Sequence, residues 1–147
     1  MTRKTMPYPR IAVVRPGPGR TVTVTWKDGT EHEIDLTAWF SGSPMFAPLL
    51  ADDALFAMVR VGEWGSALHW AGDLEIPDDV LWAFGLEQEA ARFRDWRKAR
   101  SLTQEQAAVE LGLSTRMLAD YEAGSHPIPK TVTLARYGFD VLRRMVA

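Results

Sequence analysis

The stretch Thr103–Gly124, TQEQAAVELGLSTRMLADYEAG, decides the fold of the C-terminal part of the chain. Thr103 is a natural N-cap, and Gln106 three residues later can reach back to it, the T-x-x-Q capping box. Ala107, Ala108 and Leu111 then share one apolar face. Gly112 supplies the left-handed residue that ends this helix. Leu113 packs beneath the turn, and Ser114 caps a second helix whose inward residues are expected to be Met117, Leu118 and Tyr121. Gly124 closes it. Two short helices held at a wide angle by a turn of three or four residues make a helix-turn-helix, and the second of them can enter a DNA major groove.

Working outward, Glu87–Arg100 reads as the helix before the motif. Ile128-Pro129 opens the helix after it, with proline at the favoured first position. Val132, Ala135 and Phe139 recur at helical spacing, and Val141, Leu142, Met145 and Val146 carry an apolar stripe onward; Gly138 is a candidate kink. Two partners suit that stripe. It can pair with a second copy, giving a homodimer matched to a two-fold operator, or it can cover the N-terminal sheet.

The segment Phe93–Tyr137 resembles, without a gap, the lambda-repressor-like (Xre or Cro/C1) helix-turn-helix family. Arg97, Gln104, Ala108, Leu111, Gly112, Leu113, Ser114, Leu118, Tyr121, Glu122 and Gly124 carry the resemblance. It implies double-stranded DNA as a partner. Thr103 and Gln104, at a helix N-terminus, then lie against phosphates. Thr115, Arg116, Ala119 and Asp120 point toward base edges, where Arg116 can bond bidentately to guanine. Ser114, Ser125 and Lys130 complete the set assigned to DNA, with His126 beside them and Arg94, Lys98 and Arg100 adding positive charge nearby. Asp120 departs from the pattern, since the family often has Gln, Arg or Lys there and a carboxylate repels phosphates. It can accept from cytosine N4 or close an internal pair with Arg116, four residues earlier, in the less favourable orientation. Ala123 departs too, standing where the family often has a polar or basic residue. The resemblance also places Arg97 and Glu122 where relatives hold a buried structural ion pair.

The first half of the chain reads differently. Ile11–Arg15 is a short apolar run ended by the breaker PGPG. Thr21–Trp26 alternates, with Val22, Val24 and Trp26 on one face and threonines on the other. Asp28-Gly29 signals a two-residue hairpin, and Glu31–Leu36 alternates again with His32, Ile34 and Leu36 inward. Such a sheet is solvated on one side. Thr37–Phe56 holds helical pieces broken by SGSP and Pro48. Met58–Val61 and Ala67–Trp70 look like strands joined by Gly62-Glu63-Trp64-Gly65. Gly72-Asp73 turns the chain, and Pro77-Asp78-Asp79 starts a helix through Trp82.

The succession PRIAVV, WKDGTEHEIDL, PLLADDALFAMVRV and ALHWAGDLEIPDDVLW resembles the bacterial domain-of-unknown-function family 2442 over residues 8–85. That resemblance implies an α+β domain, in some members fused to a C-terminal helix-turn-helix, with no catalytic activity attached to it. The expected architecture is therefore α+β overall. Residues 1–85 form a small antiparallel-sheet domain with short helices, and residues 86–147 an all-α helix-turn-helix domain, joined at Phe84-Gly85. Each half is near the size at which a core is marginal alone, so Trp82, Phe84 and Trp96 are either contacts between the halves or core within them.

Composition narrows the function. Among 147 residues, 46% are apolar and 24% charged, the values of an ordinary globule. No run approaches the roughly 18 apolar residues of a membrane span. The basic N-terminus lacks an apolar signal region, and a cytoplasmic protein is expected. Zero cysteine removes thiol chemistry. Residues 1–87 hold 7 Lys and Arg against 12 Asp and Glu, a formal −5; residues 88–147 hold 10 against 7, a formal +3. The basic surplus sits with the helix-turn-helix, as phosphate binding requires, though it is small.

His32, His69 and His126 are far apart with no H-x-x-x-H spacing, so no metal site is expected. Asp52-Asp53 and Asp78-Asp79 sit where helix N-caps belong. No G-x-S-x-G, Walker loop or G-x-G-x-x-G is present, and neither catalytic residues nor a cofactor are expected. Two functions compete. One is a DNA-binding transcriptional regulator whose acidic N-terminal domain takes a protein partner or effector. The other is a non-catalytic interaction module, antitoxin-like, in which the helix-turn-helix is only a scaffold.

Overall fold

The computed structural model describes residues 8–146. The basic N-terminal residues considered above for a signal sequence lie outside them. The chain divides into two compact units, Met1–Gly85 and Leu86–Ala147.

The first unit holds two three-stranded antiparallel sheets. β1 (Ile11–Pro16), β2 (Thr21–Trp26) and β3 (Glu31–Asp35) form one, in that order. The period-2 pattern sets its faces. Val22, Val24 and Trp26 of β2 and His32 and Ile34 of β3 are buried, while Glu31, Glu33 and Asp35 are exposed. The β2–β3 hairpin closes through Trp26 N–H to the Thr30 carbonyl at 2.8 Å. Its loop is therefore the three residues Lys27-Asp28-Gly29, not two, and Asp28 Oδ1 accepts from Thr30 N–H at 2.9 Å.

Three one-turn helices follow, α1 (Thr37–Ser41), α2 (Ala47–Ala51) and α3 (Asp53–Ala57). Asp52 caps α3 by accepting from the N–H groups of Ala54 and Leu55. The second sheet is β4 (Arg60–Val61), β5 (Ala67–Trp70) and β6 (Leu74–Pro77). Met58 and Val59, read as strand, lie outside β4. β6 is not among the expected strands, because it follows the Gly-Asp turn directly and its last residue, Pro77, reads as the start of the next helix. Phe40, Phe46, Leu49, Phe56, Leu68, Trp70 and Ile76 join the inward faces of the first sheet in one core. Trp70 satisfies its buried indole N–H on the Phe56 carbonyl at 3.0 Å.

α4 runs unbroken from Asp78 to Ala99. This corrects the expectation of one helix ending near Trp82 and another beginning at Glu87. Gly85 does not break the helix. A Cβ there would stand 2.3 Å from His32 Nδ1, so the residue is glycine because the helix backbone lies against the imidazole. Asp78 is not a simple cap either: its carboxylate is buried and accepts from Tyr8 Oη and from Arg10 Nη1 at 3.0 Å. Trp82 packs edge-on to Trp26 and His32, and Phe84 edge-on to Trp39, inside the first unit. Trp96 packs on Phe93 and Phe139 inside the second.

The second unit continues with α5 (Gln104–Leu111), α6 (Thr115–Glu122) and α7 (Lys130–Val146). Phe93, Ala107, Ala108, Leu111, Leu118, Tyr121, Ile128 and Val132 form its core. α7 passes through Gly138 as one helix. No helix among the described residues is long and apolar enough to cross a membrane.

Candidate nucleic-acid interface

Three consecutive helices end in the same way, and these endings set the geometry of the site. After α5, Gly112 takes φ 70°, Gly112 N–H donates to the Val109 carbonyl and Leu113 N–H to the Ala108 carbonyl. After α6, Gly124 takes φ 73°, with Gly124 N–H on the Tyr121 carbonyl and Ser125 N–H on that of Asp120. Both are Schellman motifs, which satisfy carbonyls that the helix leaves bare. α4 ends likewise at Ser101, a non-glycine residue at φ 55°, with Leu102 N–H reaching the Arg97 carbonyl. Leu102 and Leu113, next in chain after the left-handed residues, drop onto the core.

The starts are equally defined. Thr103 Oγ1 accepts from Gln106 N–H at 3.1 Å, and Gln106 Oε1 accepts from Thr103 N–H at 2.9 Å, closing the capping box. Ser114 Oγ accepts from Met117 N–H at 3.0 Å. Start and stop signals lie so close together that α5, its turn and α6 have little room for another arrangement.

Leu118, Tyr121 and Glu122 face inward on α6, while Thr115 and Arg116 are exposed and Ala119 and Asp120 half-buried on its other side. Met117, expected inward, is 40% exposed. No ion pair within 4.0 Å joins Arg116 to Asp120 among the described residues. Ser125, His126 and Lys130 are exposed.

The inner side of α6 is anchored by charge. Glu122, 4% exposed, accepts from Arg97 Nε at 2.7 Å and from Arg97 Nη2 at 2.9 Å. Arg97 gives its remaining nitrogen to the Leu102 carbonyl at 2.9 Å. The hydrogen bond to Glu122 raises the Arg97 pKa further above its already high value. Gln104 Nε2 lies 3.5 Å from Glu122 Oε1, which ties the first turn of α5 to the last turn of α6. Arg94 donates to the Glu122 carbonyl.

Sequence reasoning missed a second anchor. Arg100 Nη2 donates to Asp140 Oδ2 at 2.7 Å, and Trp96 Nε1 donates to the same oxygen at 3.1 Å. The guanidinium also stacks over the Trp96 ring, 4.7 Å from its centroid. Hydrogen bonding from Arg100 holds the Asp140 carboxyl below the usual carboxylate range. Arg136 lies over the Phe93 ring, and burial pushes its pKa down. Arg94 and Arg100, counted from the sequence as free positive charge, are thus engaged inside the unit. Lys98, Arg116 and Lys130 remain exposed. No group of three His, Asp or Glu able to hold a metal ion is found among the described residues.

Comparison with known proteins places both units. A family model described as a helix-turn-helix domain matches residues 90–138. A crystal structure from Nitrosomonas europaea, of a provisionally assigned DNA-binding protein, is 29% identical. The match covers 92% of this chain and 89% of that one, with a TM-score of 0.51. No curated protein matches the sequence. The model of a protein family of unknown function, DUF2442, matches residues 11–86, more than half of the chain. The chain therefore belongs to the DUF2442 family and carries a helix-turn-helix domain behind its DUF2442 domain.

Proposed function

We propose that this protein is a non-catalytic, DNA-binding transcriptional regulator of the cytoplasm. α6 is its recognition helix, Thr115, Arg116, Ala119 and Asp120 face base edges, and Thr103, Gln104, Ser114, Ser125 and Lys130 contact phosphates. The observation that carries this reading is the division of α6 into an outer side free of ion pairs and an inner side pinned by the Arg97–Glu122 pair. A rigid support beneath an exposed helix lowers the ordering cost of docking. The provisional DNA-binding assignment of the Nitrosomonas protein supports it as well.

The exposed apolar residues of α7, Leu134, Tyr137, Val141, Leu142 and Met145, favour a homodimer, which presents two recognition helices to a two-fold site. The acidic first unit, a formal −4 over residues 1–85, takes no part in phosphate binding and is left for a partner or effector.

Fluorescence polarisation with duplex DNA from the protein's own upstream region, titrated with salt, tests this. Each phosphate contact contributes about −0.9 to the log–log slope. Arg116→Ala should lower affinity and relax the preference at one base pair, by about 1–3 kcal/mol. Unchanged affinity and unchanged preference would exclude groove reading by this residue.

A second reading, an interaction module that does not bind DNA, is favoured by one specific observation. Asp120 puts a carboxylate on the outer side of α6, while Arg94 and Arg100 are engaged internally. Under that reading Asp120→Gln leaves DNA binding absent; under the first it raises affinity by removing a repulsion.

A further inference from the structure

In the first unit, the turn from Gly62 to Ser66 holds a tryptophan in a conformation that tryptophan disfavours. Trp64 has φ 62° and ψ 8°, in the left-handed region, and its side chain is 83% exposed, so burial does not offset the strain. Residues kept in such regions cluster at ligand sites. The surrounding structure enforces the conformation. A Cβ on Gly65 would stand 2.4 Å from the Ile11 carbonyl oxygen, and one on Gly62 would stand 2.3 Å from His69 Cδ2. Gly62 N–H is bonded to the Ala67 carbonyl at 2.9 Å, and Ser66 Oγ donates to the Glu63 carbonyl at 3.0 Å.

The turn borders an open depression of about 500 Å³ lined by Arg60, Gly62, Glu63, Trp64, Ser66 and His69. The strand register places Arg60 opposite His69 and His69 opposite Glu75, so the three form one row across β4, β5 and β6. His69 is held in that row by Glu75, Nε2 to Oε2 at 3.2 Å. Arg60 and Glu63 are both exposed, and among the described residues neither enters an ion pair. One depression therefore offers an unanswered cation, an unanswered anion and a flat aromatic face.

We propose that this depression binds a small zwitterion that carries a flat aromatic ring, an aromatic α-amino acid. The ring stacks on the Trp64 indole, the carboxylate meets the Arg60 guanidinium, and the ammonium meets the Glu63 carboxylate. A simple anion or cation would satisfy one of the two charges and be repelled by the other. This inference rests on the effector half of the proposed function and is independent of the DNA half.

Calorimetric titration of the full-length protein with L-phenylalanine tests it, with phenethylamine and phenylacetate as probes lacking one charge each. Saturable binding is expected with L-phenylalanine, weakened roughly tenfold by Arg60→Met and by Glu63→Gln, as for loss of one charge-assisted hydrogen bond. Phenethylamine should gain affinity in Arg60→Met, and phenylacetate in Glu63→Gln, because each variant removes the charge that repels that probe. Trp64→Gly should abolish binding while raising the melting temperature, because glycine suits the left-handed turn. Absence of saturable heat with L-phenylalanine, or unchanged affinity in Trp64→Gly, would overturn the proposal. Duplex affinity measured on the same samples separates the two claims. DNA binding without amino-acid binding removes only this site, and the reverse removes only the groove reading.

Discussion

Arg97 and Glu122, 25 residues apart in the chain, meet through two parallel hydrogen bonds of 2.7 and 2.9 Å with little solvent access to either. A buried pair of this kind adds little net stability over apolar packing, because both charges had to leave water. Removing one member strands the other, however, at a cost of about 3–5 kcal/mol. Glu122→Ala should therefore lower the melting temperature strongly. The double substitution Arg97→Met with Glu122→Leu should cost much less than the sum of the two single ones. Additive effects in that cycle would refute the coupling.

Ser101 ends α4 at φ 55°, where the other two helix ends of the motif have glycine. An L-residue with a side chain pays about 1–2 kcal/mol for the left-handed region. Ser101→Gly should raise the urea midpoint with the slope unchanged, by about 0.5–1 kcal/mol. A lowered midpoint would show that the serine hydroxyl matters more than the backbone angle.

Two helical glycines should respond in opposite directions. At Gly85 an added methyl meets His32 Nδ1 at 2.3 Å, whereas at Gly138 it meets nothing within 4 Å. Gly85→Ala should destabilise by about 1–3 kcal/mol through overpacking. Gly138→Ala should stabilise by about 0.5–1 kcal/mol through helix propensity. Thermal melts of the two variants decide the matter, and destabilisation by both would refute the assignment of Gly138 to open space.

The Asp140 carboxyl, hydrogen-bonded by Arg100, titrates below its unfolded value near 3.9. As pH falls, the unfolded chain takes up this proton before the folded one does. Stability from Asp140 is thus fully present above the unfolded value and is lost as pH drops through the depressed folded one. Asp35, lowered by its hydrogen bonds from Thr37, contributes with the same sign in the first unit. Unfolding monitored between about pH 5 and 2 should show a shallower acid loss in Asp140→Asn than in the parent protein. Equal slopes would mean that the Arg100–Asp140 bond does not persist in solution.

The parts legible in the chain were those governed by neighbours within a few residues. The capping box at Thr103, the cap at Ser114, the left-handed glycines at 112 and 124 and the alternation of β2 and β3 all involve short-range contacts, which spacing encodes directly. The paired strand β6 and the unbroken α4 were not legible. β6 follows a Gly-Asp turn directly and ends on a proline that reads as the start of a helix, and a glycine packed against a distant imidazole looks the same as a glycine in a joint.

The candidate interface divides along the same line. Local patterning alone specified a helix-turn-helix and the inward Leu118 and Tyr121 of α6, with Met117 the exception, because 3.6-residue periodicity needs no partner. Tertiary structure decided which charges are available. Arg94 and Arg100 look like free surface charges in sequence, yet they are engaged by groups 28 and 40 residues away, the Glu122 carbonyl and Asp140, whereas the Arg97–Glu122 pair was already implied by the family resemblance. The same holds for the turn around Trp64, whose flanking glycines are required because β1 lies against Gly65 and His69 against Gly62. Long-range contacts of this kind depend on where the chain returns in space, and spacing along the sequence carries no record of that.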